Sequence, residues 1–312
     1  ELQNLKNKNC FTPVQRANNS HIIPSSMLIT EKTVHDQNGS RNIAKGRLTA
    51  LGNMQDWLPI NNTSYAPTVF PMTYNLMLQM ATQYDMEVEV IDFNQAFIHS
   101  ELSKNEEDKF MILNAELANY YIQLDPESKK FIRNDGSMLV KLNKAIYGLK
   151  ESAQLWFNNL TNTLKSLGFE QSENDLCLFT KYNIISNIEA TIIQLCIHVD
   201  DVLIISNNKN EIQKLKEELT KIYGTLKVQS EDNFHYIGQN IVRDRENFKT
   251  TIDQKSFILN LLKQFNIKDK SNMPSNDSIL ESTGELLNDD KLHQYRSLIM
   301  STLYLSNTTR AD

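Results

Sequence analysis

The stretch 197-IHVDDVLIIS-206 decides how this chain is read. Two adjacent carboxylates, Asp200 and Asp201, sit between the apolar runs 192-IIQLCI-197 and 202-VLIIS-206. Runs of this length, rich in Ile and Val, predict buried strands. An ionised carboxylate is costly to bury unless it is paired or bound to metal. Strand, acidic turn and strand make a β-hairpin whose tip presents both carboxylates in one place. Two readings stand. In one, the aspartates only favour the turn geometry of an exposed hairpin, although the usual two-residue turn is Asn-Gly or Asp-Gly. In the other, they belong to a divalent-metal site. Mg²⁺ takes hard oxygen ligands, typically one or two carboxylates plus substrate phosphates. Such a site needs a further carboxylate from elsewhere in the chain.

Asp92 is the candidate. It closes 86-MEVEVID-92, an alternating stretch with Met86, Val88 and Val90 on one face that predicts a strand. A charged residue closing an apolar strand is common. A strand-end Asp far upstream of a strand-flanked Asp-Asp is a more specific pattern.

Around these segments the chain alternates helices and strands. Helical spacing predicts helices over 71–85 (stripe Met72, Leu76, Met80), 153–168 (Leu160, Leu164, Leu167, stopped by Gly168), 210–224 (Ile212, Leu215, Leu219, Ile222, stopped by Gly224), 256–267 and 295–305. Residues 1–66 are polar and Asn-rich with few strong patterns. Residues 101–136 are charged, carry NEEDK, and hold an NDG turn at 134–136; SNMPSND (271–277) reads as a loop.

The 312 residues, 40% hydrophobic and 22% charged, predict a folded, soluble protein of one large domain or a few lobes. No run of 18 apolar residues occurs, so no transmembrane helix and no membrane partner are expected. The polar N-terminus is no signal peptide, and without Met it is expected to be a fragment or a processed piece. Three scattered cysteines, Cys10, Cys177 and Cys196, fit no zinc or disulfide spacing, and a reducing intracellular setting is expected. The net charge of −6 argues mildly against nucleic-acid binding, but net charge is a poor guide to a local groove.

Several motifs, in order, then resemble one family. IHVDDVLIIS resembles the YVDD hairpin of reverse transcriptases, with His198 for the usual Tyr. IDFNQAFIHSEL (91–102) resembles the DVKTAFLNGDL motif of copia-type LTR retrotransposon polymerases. KLNKAIYGLKESAQLWFNNL (141–160), SENDLCLF (172–179), FHYIGQNI (234–241) and YRSLIMSTLYLSNTTRAD (295–312) are similar to further segments of that family, as are ELQNLKNKNCFTPV at the start and AKGRLTALG at 44–52. Ala153 replaces a Pro, Met300 a Gly and Ala311 a Pro of the family pattern; no carboxylate of the set is lost.

The resemblance implies an α+β right-hand polymerase fold, with an antiparallel palm sheet packed on helices. It implies fingers at 1–85 and 119–150, palm at 86–118 and 151–240, and thumb or start of connection at 241–312. It implies an RNA-directed DNA polymerase that extends a primer with dNTPs by a two-metal mechanism, using Mg²⁺ with Mn²⁺ as a substitute. Asp92, Asp200 and Asp201 are then catalytic, and they hold the metals together with the carbonyl of Phe93. Phe97 excludes the 2′-hydroxyl of a ribonucleotide, or is simply core. Tyr147, Gly148 and Lys150 contact nucleotide or template, or form a turn into the next helix, with Lys150 simply a solvated lysine. Lys45 and Arg47 clamp the triphosphate, or decorate a surface strand. Tyr236, Ile237 and Gly238 form a primer grip, or a plain strand edge. Lys255, Lys263, Lys268 and Lys270 meet duplex phosphates, or solvent. The implied partners are an RNA template, a DNA or tRNA primer, dNTPs, and the RNase H and integrase regions of the same polyprotein. The implied location is the cytoplasm, within virus-like particles, with a product destined for the nucleus. Two alternatives remain: an inactive, polymerase-like nucleic-acid-binding remnant and a two-metal nuclease. Phe97 and the YGLK segment, which serve nucleotide and template binding, speak against the nuclease.

Overall fold

The structure, a computed structural model, describes residues 1–17, 21–36, 39–55, 64–102, 108–184, 190–268 and 286–310. The loop at 271–277, Lys270, Ala311 and most of NEEDK lie outside these residues.

The chain opens with a short helix, α1 (Leu2–Asn7), strand β1 (Phe11–Pro13) and a long hairpin of β2 (Ile22–Asp36) and β3 (Gly39–Ala50). This hairpin is hard to read from sequence, because much of it is exposed and polar and lacks a clean alternation. Its foot is apolar: Ile23, Leu48 and Ala50 are buried. Helix α2 (Pro71–Gln83) follows, then β4 (Glu87–Phe93), β5 (Phe110–Leu113), α3 (Ala115–Leu124) and β6 (Met138–Leu142). The charged region 101–136 thus contains β5 and α3, and Asn114 starts the helix by accepting the Leu117 N–H at 2.9 Å. The turn at 134–136 is present, with Gly136 at φ +80°.

Next come α4 (Ser152–Ser166), β7 (Glu170–Gln171), β8 (Leu178–Ile184), β9 (Ala190–His198), β10 (Asp201–Ser206) and α5 (Lys209–Tyr223). Helix α5 is capped by Asn208 and ends at Gly224, whose φ of +83° suits a residue without Cβ. Strands β11 (Leu226–Gln229), β12 (Asn233–Tyr236), β13 (Gln239–Asp244) and β14 (Lys249–Asp253) precede α6 (Lys255–Gln264) and α7 (Asp289–Ser306).

The fold is α+β, with three sheets among the described residues. The first has the order β1-β6-β5-β2-β3, and the third is the meander β12-β13-β14. The second and central sheet, β11-β4-β10-β9-β8-β7, is antiparallel throughout. Its middle strands are buried on both faces: Val88 to Ile91 and Val202 to Ile205 are nearly inaccessible. Helices α2, α4 and α5 pack on it through Tyr74, Met77, Leu78 and Ala81, through Trp156, Leu160 and Leu164, and through Ile212, Leu215 and Leu219. Glu89, within β4, survives burial because the Lys216 ammonium of α5 pairs with it at 2.7 Å.

Two helical stripes differ from expectation. On α2, Met72 and Leu76 are exposed, and the buried face is turned to Tyr74, Met77, Leu78 and Ala81. Asn75, Gln79, Thr82 and Gln83 share one face of the helix and the buried set lies away from them, so the polar stripe marks the solvent side that the Met72–Leu76–Met80 row does not. On α5, Ile222 is exposed and its neighbour Tyr223 is buried instead. On α6 only Leu261 is buried.

Candidate active site

The two aspartates do not share the turn. His198 pairs with Asp201 across the hairpin, so the turn residues are Val199 and Asp200, and Asp201 is already the first residue of β10. Val199 adopts the left-handed region at φ +58°, unusual for a β-branched side chain. Two bonds hold this turn. The Trp156 indole N–H of α4 donates to the Val199 carbonyl at 2.7 Å. The Phe93 N–H of β4 donates to the Asp200 carbonyl at 3.1 Å.

The second bond brings the distant carboxylate in. Strand β4 lies between β10 and β11, so Asp92 stands opposite Asp201 on one side and opposite Lys227 on the other. The Lys227 ammonium pairs with the Asp92 carboxylate. Burial pushes the Asp200 carboxyl above its ordinary range, with Asp92 adding to the shift and Lys227 and Arg47 opposing it. Burial pushes Asp201 up to about 6, with Asp200 and Asp92 adding repulsion.

As placed, no three His, Cys, Asp or Glu side chains among the described residues stand close enough to hold a metal ion. The donor chemistry nonetheless suits a hard divalent cation. The strand register puts three partly buried carboxylates at one end of the central sheet, without thiolate ligands, and the positive charge beside Asp92 comes from Lys227.

A second group of side chains adjoins the carboxylates. The Arg47 guanidinium of β3 lies over the Tyr147 ring, 5.4 Å from its centroid, and Tyr147 meets Phe97 edge-on at 4.9 Å. Burial raises the Tyr147 hydroxyl pKa, and nearby Asp200 adds to it. Lys45 is half-buried two residues before Arg47, on the same strand face. The glycine of the YGLK segment lies against protein backbone. A Cβ on Gly148 (φ +90°) would lie 2.0 Å from the Ala50 carbonyl, and a Cβ on Gly52 would lie 2.0 Å from the Gly148 carbonyl. The two backbones cross in direct contact, and the Ala50 N–H donates to the Tyr147 carbonyl at 2.8 Å. Lys150 is tied to Gln55: its ammonium donates to the Gln55 carbonyl at 2.7 Å, and its N–H donates to the Gln55 side chain at 3.1 Å. It fastens this crossing rather than facing open solvent.

The 236–238 segment divides in two. Tyr236 is a core residue, 1% exposed, with its hydroxyl near the Cys196 carbonyl at 3.3 Å. Ile237 (φ +47°) and Gly238 (φ +70°) form the turn of β12 and β13, and the Tyr304 hydroxyl of α7 donates to the Ile237 carbonyl at 2.7 Å. Lys255, Lys263 and Lys268 are exposed.

Three contributors were not singled out from sequence. Trp156 carried a usable signal, since a buried indole N–H needs an acceptor. Lys227 carried none, being one lysine in a short exposed strand. Asp175, 5% exposed, accepts from the Phe70 N–H (3.0 Å), the Thr73 hydroxyl (2.6 Å) and the Cys177 N–H (2.9 Å), and so caps α2 from a distant loop. No helix among the described residues is long and apolar enough to cross a membrane.

Comparison with known proteins gives one family. A family model described as reverse transcriptase (RNA-dependent DNA polymerase) matches residues 8–276. The chain is 29% identical over 204 residues to the Retrovirus-related Pol polyprotein from transposon TNT 1-94 of Nicotiana tabacum, covering 65% of this chain and 14% of that protein. It is 26% identical over 293 residues to the corresponding polyprotein from transposon RE1 of Arabidopsis thaliana, covering 92% of this chain and 18% of that protein. It is 27% identical over 176 residues to a putative transposon Ty5-1 protein of Saccharomyces cerevisiae, covering 55% of this chain and 54% of that protein. The chain thus spans a small part of the two plant polyproteins it matches.

Proposed function

We propose a function from one premise: this chain belongs to the reverse transcriptase (RNA-dependent DNA polymerase) family. It extends the 3′-hydroxyl of a DNA or tRNA primer with dNTPs on an RNA or DNA template, as one region of a longer copia-type Pol polyprotein. The observation that carries this reading is the register of β4 and β10, which sets Asp201 opposite Asp92 while the Phe93 N–H holds the Asp200 carbonyl.

Asp92 and Asp200, with Asp201 and the Phe93 carbonyl beside them, would hold two divalent cations, Mg²⁺ or Mn²⁺. Bound there, the cations would acidify the attacking hydroxyl and neutralise the leaving pyrophosphate. The chain's own residues bind and orient. Arg47, on the Tyr147 face and close enough to act on Asp200, is placed to neutralise a triphosphate together with Lys45. Phe97, braced by Tyr147, walls the sugar and excludes a 2′-hydroxyl. The Ile237–Gly238 turn, held from α7, positions the primer end, and Tyr236 anchors it from the core. In this reading the segments 1–85 and 119–150 are fingers, 86–118 and 151–240 palm, and 241–312 thumb. RNase H and integrase regions of the same polyprotein are its partners. Its place of action is the cytoplasm, in virus-like particles, with the DNA product bound for the nucleus.

A second reading draws on the pairing of Lys227 with Asp92, which fits a remnant that binds nucleic acid without catalysis. Primer extension separates the readings. An RNA template, a labelled DNA primer, dNTPs and Mg²⁺ are expected to give longer products with the wild-type chain and none with Asp200→Asn. Duplex binding without extension supports the remnant, and primer shortening supports a nuclease.

A further inference from the structure

We propose that Trp156 is a positioning residue that fixes the Val199–Asp200 turn against β4 and so sets the spacing between Asp92 and the Asp200–Asp201 pair. The inference rests on the polymerase reading and deepens it.

Consecutive carbonyls of the turn are each held by a different element. The Val199 carbonyl accepts from Trp156 of α4, and the Asp200 carbonyl accepts from Phe93 of β4. Val199 holds a backbone conformation that β-branched residues avoid, and such a conformation persists only where the surroundings over-determine it. Trp156 is fully buried and cannot swing away. Its ring meets Phe93 edge-on at 5.1 Å and Tyr223 at 5.3 Å, and Tyr223 in turn meets Phe93 at 5.2 Å. Phe93 directly follows Asp92. One side chain therefore braces the residue after Asp92 with its ring and the residue before Asp200 with its N–H. The Val199–Asp200 peptide unit turns on that N–H. Without it the peptide plane loses that restraint, and the turn that carries Asp200 is held less firmly against β4.

The plainer account is a core tryptophan whose N–H has merely found an acceptor. It predicts that losing the N–H affects stability alone. The test replaces Trp156 by benzothienylalanine, which keeps the bicyclic shape but lacks the donor; Trp156→Phe is the second variant. Mn²⁺ binding is measured without nucleic acid by electron paramagnetic resonance. kcat and KM for a dNTP come from single-nucleotide extension, and the melting midpoint is taken in EDTA. Losing the donor is expected to weaken Mn²⁺ binding about three- to tenfold, the worth of one net hydrogen bond. kcat should fall in similar proportion, KM for the dNTP should stay unchanged, and the midpoint should drop by only a few degrees. Unchanged Mn²⁺ affinity and kcat in the benzothienyl variant, beside an active wild-type chain, overturn the inference and leave the polymerase reading intact. A wild-type chain that neither binds Mn²⁺ nor extends a primer overturns that reading, and this inference with it.

Discussion

Lys227 on β11 faces Asp92 on β4 from the side opposite Asp201, and its ammonium pairs with the Asp92 carboxylate. The central sheet thus brings a cation of its own to a cluster of three carboxylates. It lowers the repulsion that gathering them creates, since like charges at short range each disfavour the other's ionised form.

Lys227 therefore competes with any metal for Asp92. Replacing it with Met should raise Mn²⁺ affinity about three- to fivefold, the modest scale set by a half-exposed pair. The same change should lower the melting midpoint in EDTA, where nothing else offsets the carboxylates. A Mn²⁺ titration followed by thermal melts with and without EDTA checks both. Unchanged affinity would mean that the pair is incidental.

The Asp201 shift sets a pH dependence. Its folded pKa is raised to about 6 by burial and by its two acidic neighbours, above the ordinary carboxyl value of about 3.9. The folded chain therefore binds this proton more tightly than the unfolded one. The resulting stability is fully present below about pH 4 and is lost as pH rises through about 6. Asp201→Asn cannot ionise, so in metal-free buffer its melting midpoint should gain on the wild type as pH rises from 4 to 7. A midpoint difference that stays flat across this range would contradict the shift. Catalysis should run the other way, falling below about pH 6 as Asp201 protonates.

The Gly52–Gly148 crossing leaves no room for a methyl group. Gly52→Ala would put Cβ 2.0 Å from the Gly148 carbonyl, so the YGLK turn must move and carry Tyr147 with it. KM for the incoming dNTP should rise about tenfold or more, the scale of loss from a small misplacement. Steady-state single-nucleotide kinetics checks this, with circular dichroism to establish that the variant is folded. An unchanged KM would detach the crossing from nucleotide binding.

Asp175 does its work far from the carboxylates. Three donors converge on it, two of them at the start of α2. Asp175→Ala should lower the unfolding free energy by about 2–4 kcal/mol, combining a lost helix cap with buried donors left unpaired. Asp175→Asn, which keeps an acceptor, should lose less. Chemical denaturation measures both; equal, negligible losses would show that the capping geometry is unimportant.

The legibility of this chain in its sequence followed the distance over which each signal acts. The hairpin of β9 and β10, the strand ending at Asp92 and the helix ending at Gly224 rest on local patterns, and the structure has all three. The turn was misplaced by one residue because Asp-Asp drew attention, whereas cross-strand pairing assigns the turn to Val199 and Asp200. The long hairpin of β2 and β3 escaped because exposed polar strands show no hydrophobic alternation. Lys227, Asp175 and Gln55 act through partners far away in the chain, and no local pattern encodes a partner at that distance. Gly148 is legible in the sequence as a place of close approach, and in the structure the Ala50 and Gly52 backbone lies against it.

The most direct test is single-nucleotide incorporation on an RNA template with Mg²⁺, comparing the wild-type chain with Asp92→Asn and Asp200→Asn. The account predicts templated addition by the wild type and loss of at least about a hundredfold in each variant, with duplex binding retained. Comparable addition by either variant, or none by a folded, duplex-binding wild type, would contradict the claim that these carboxylates form a polymerase centre.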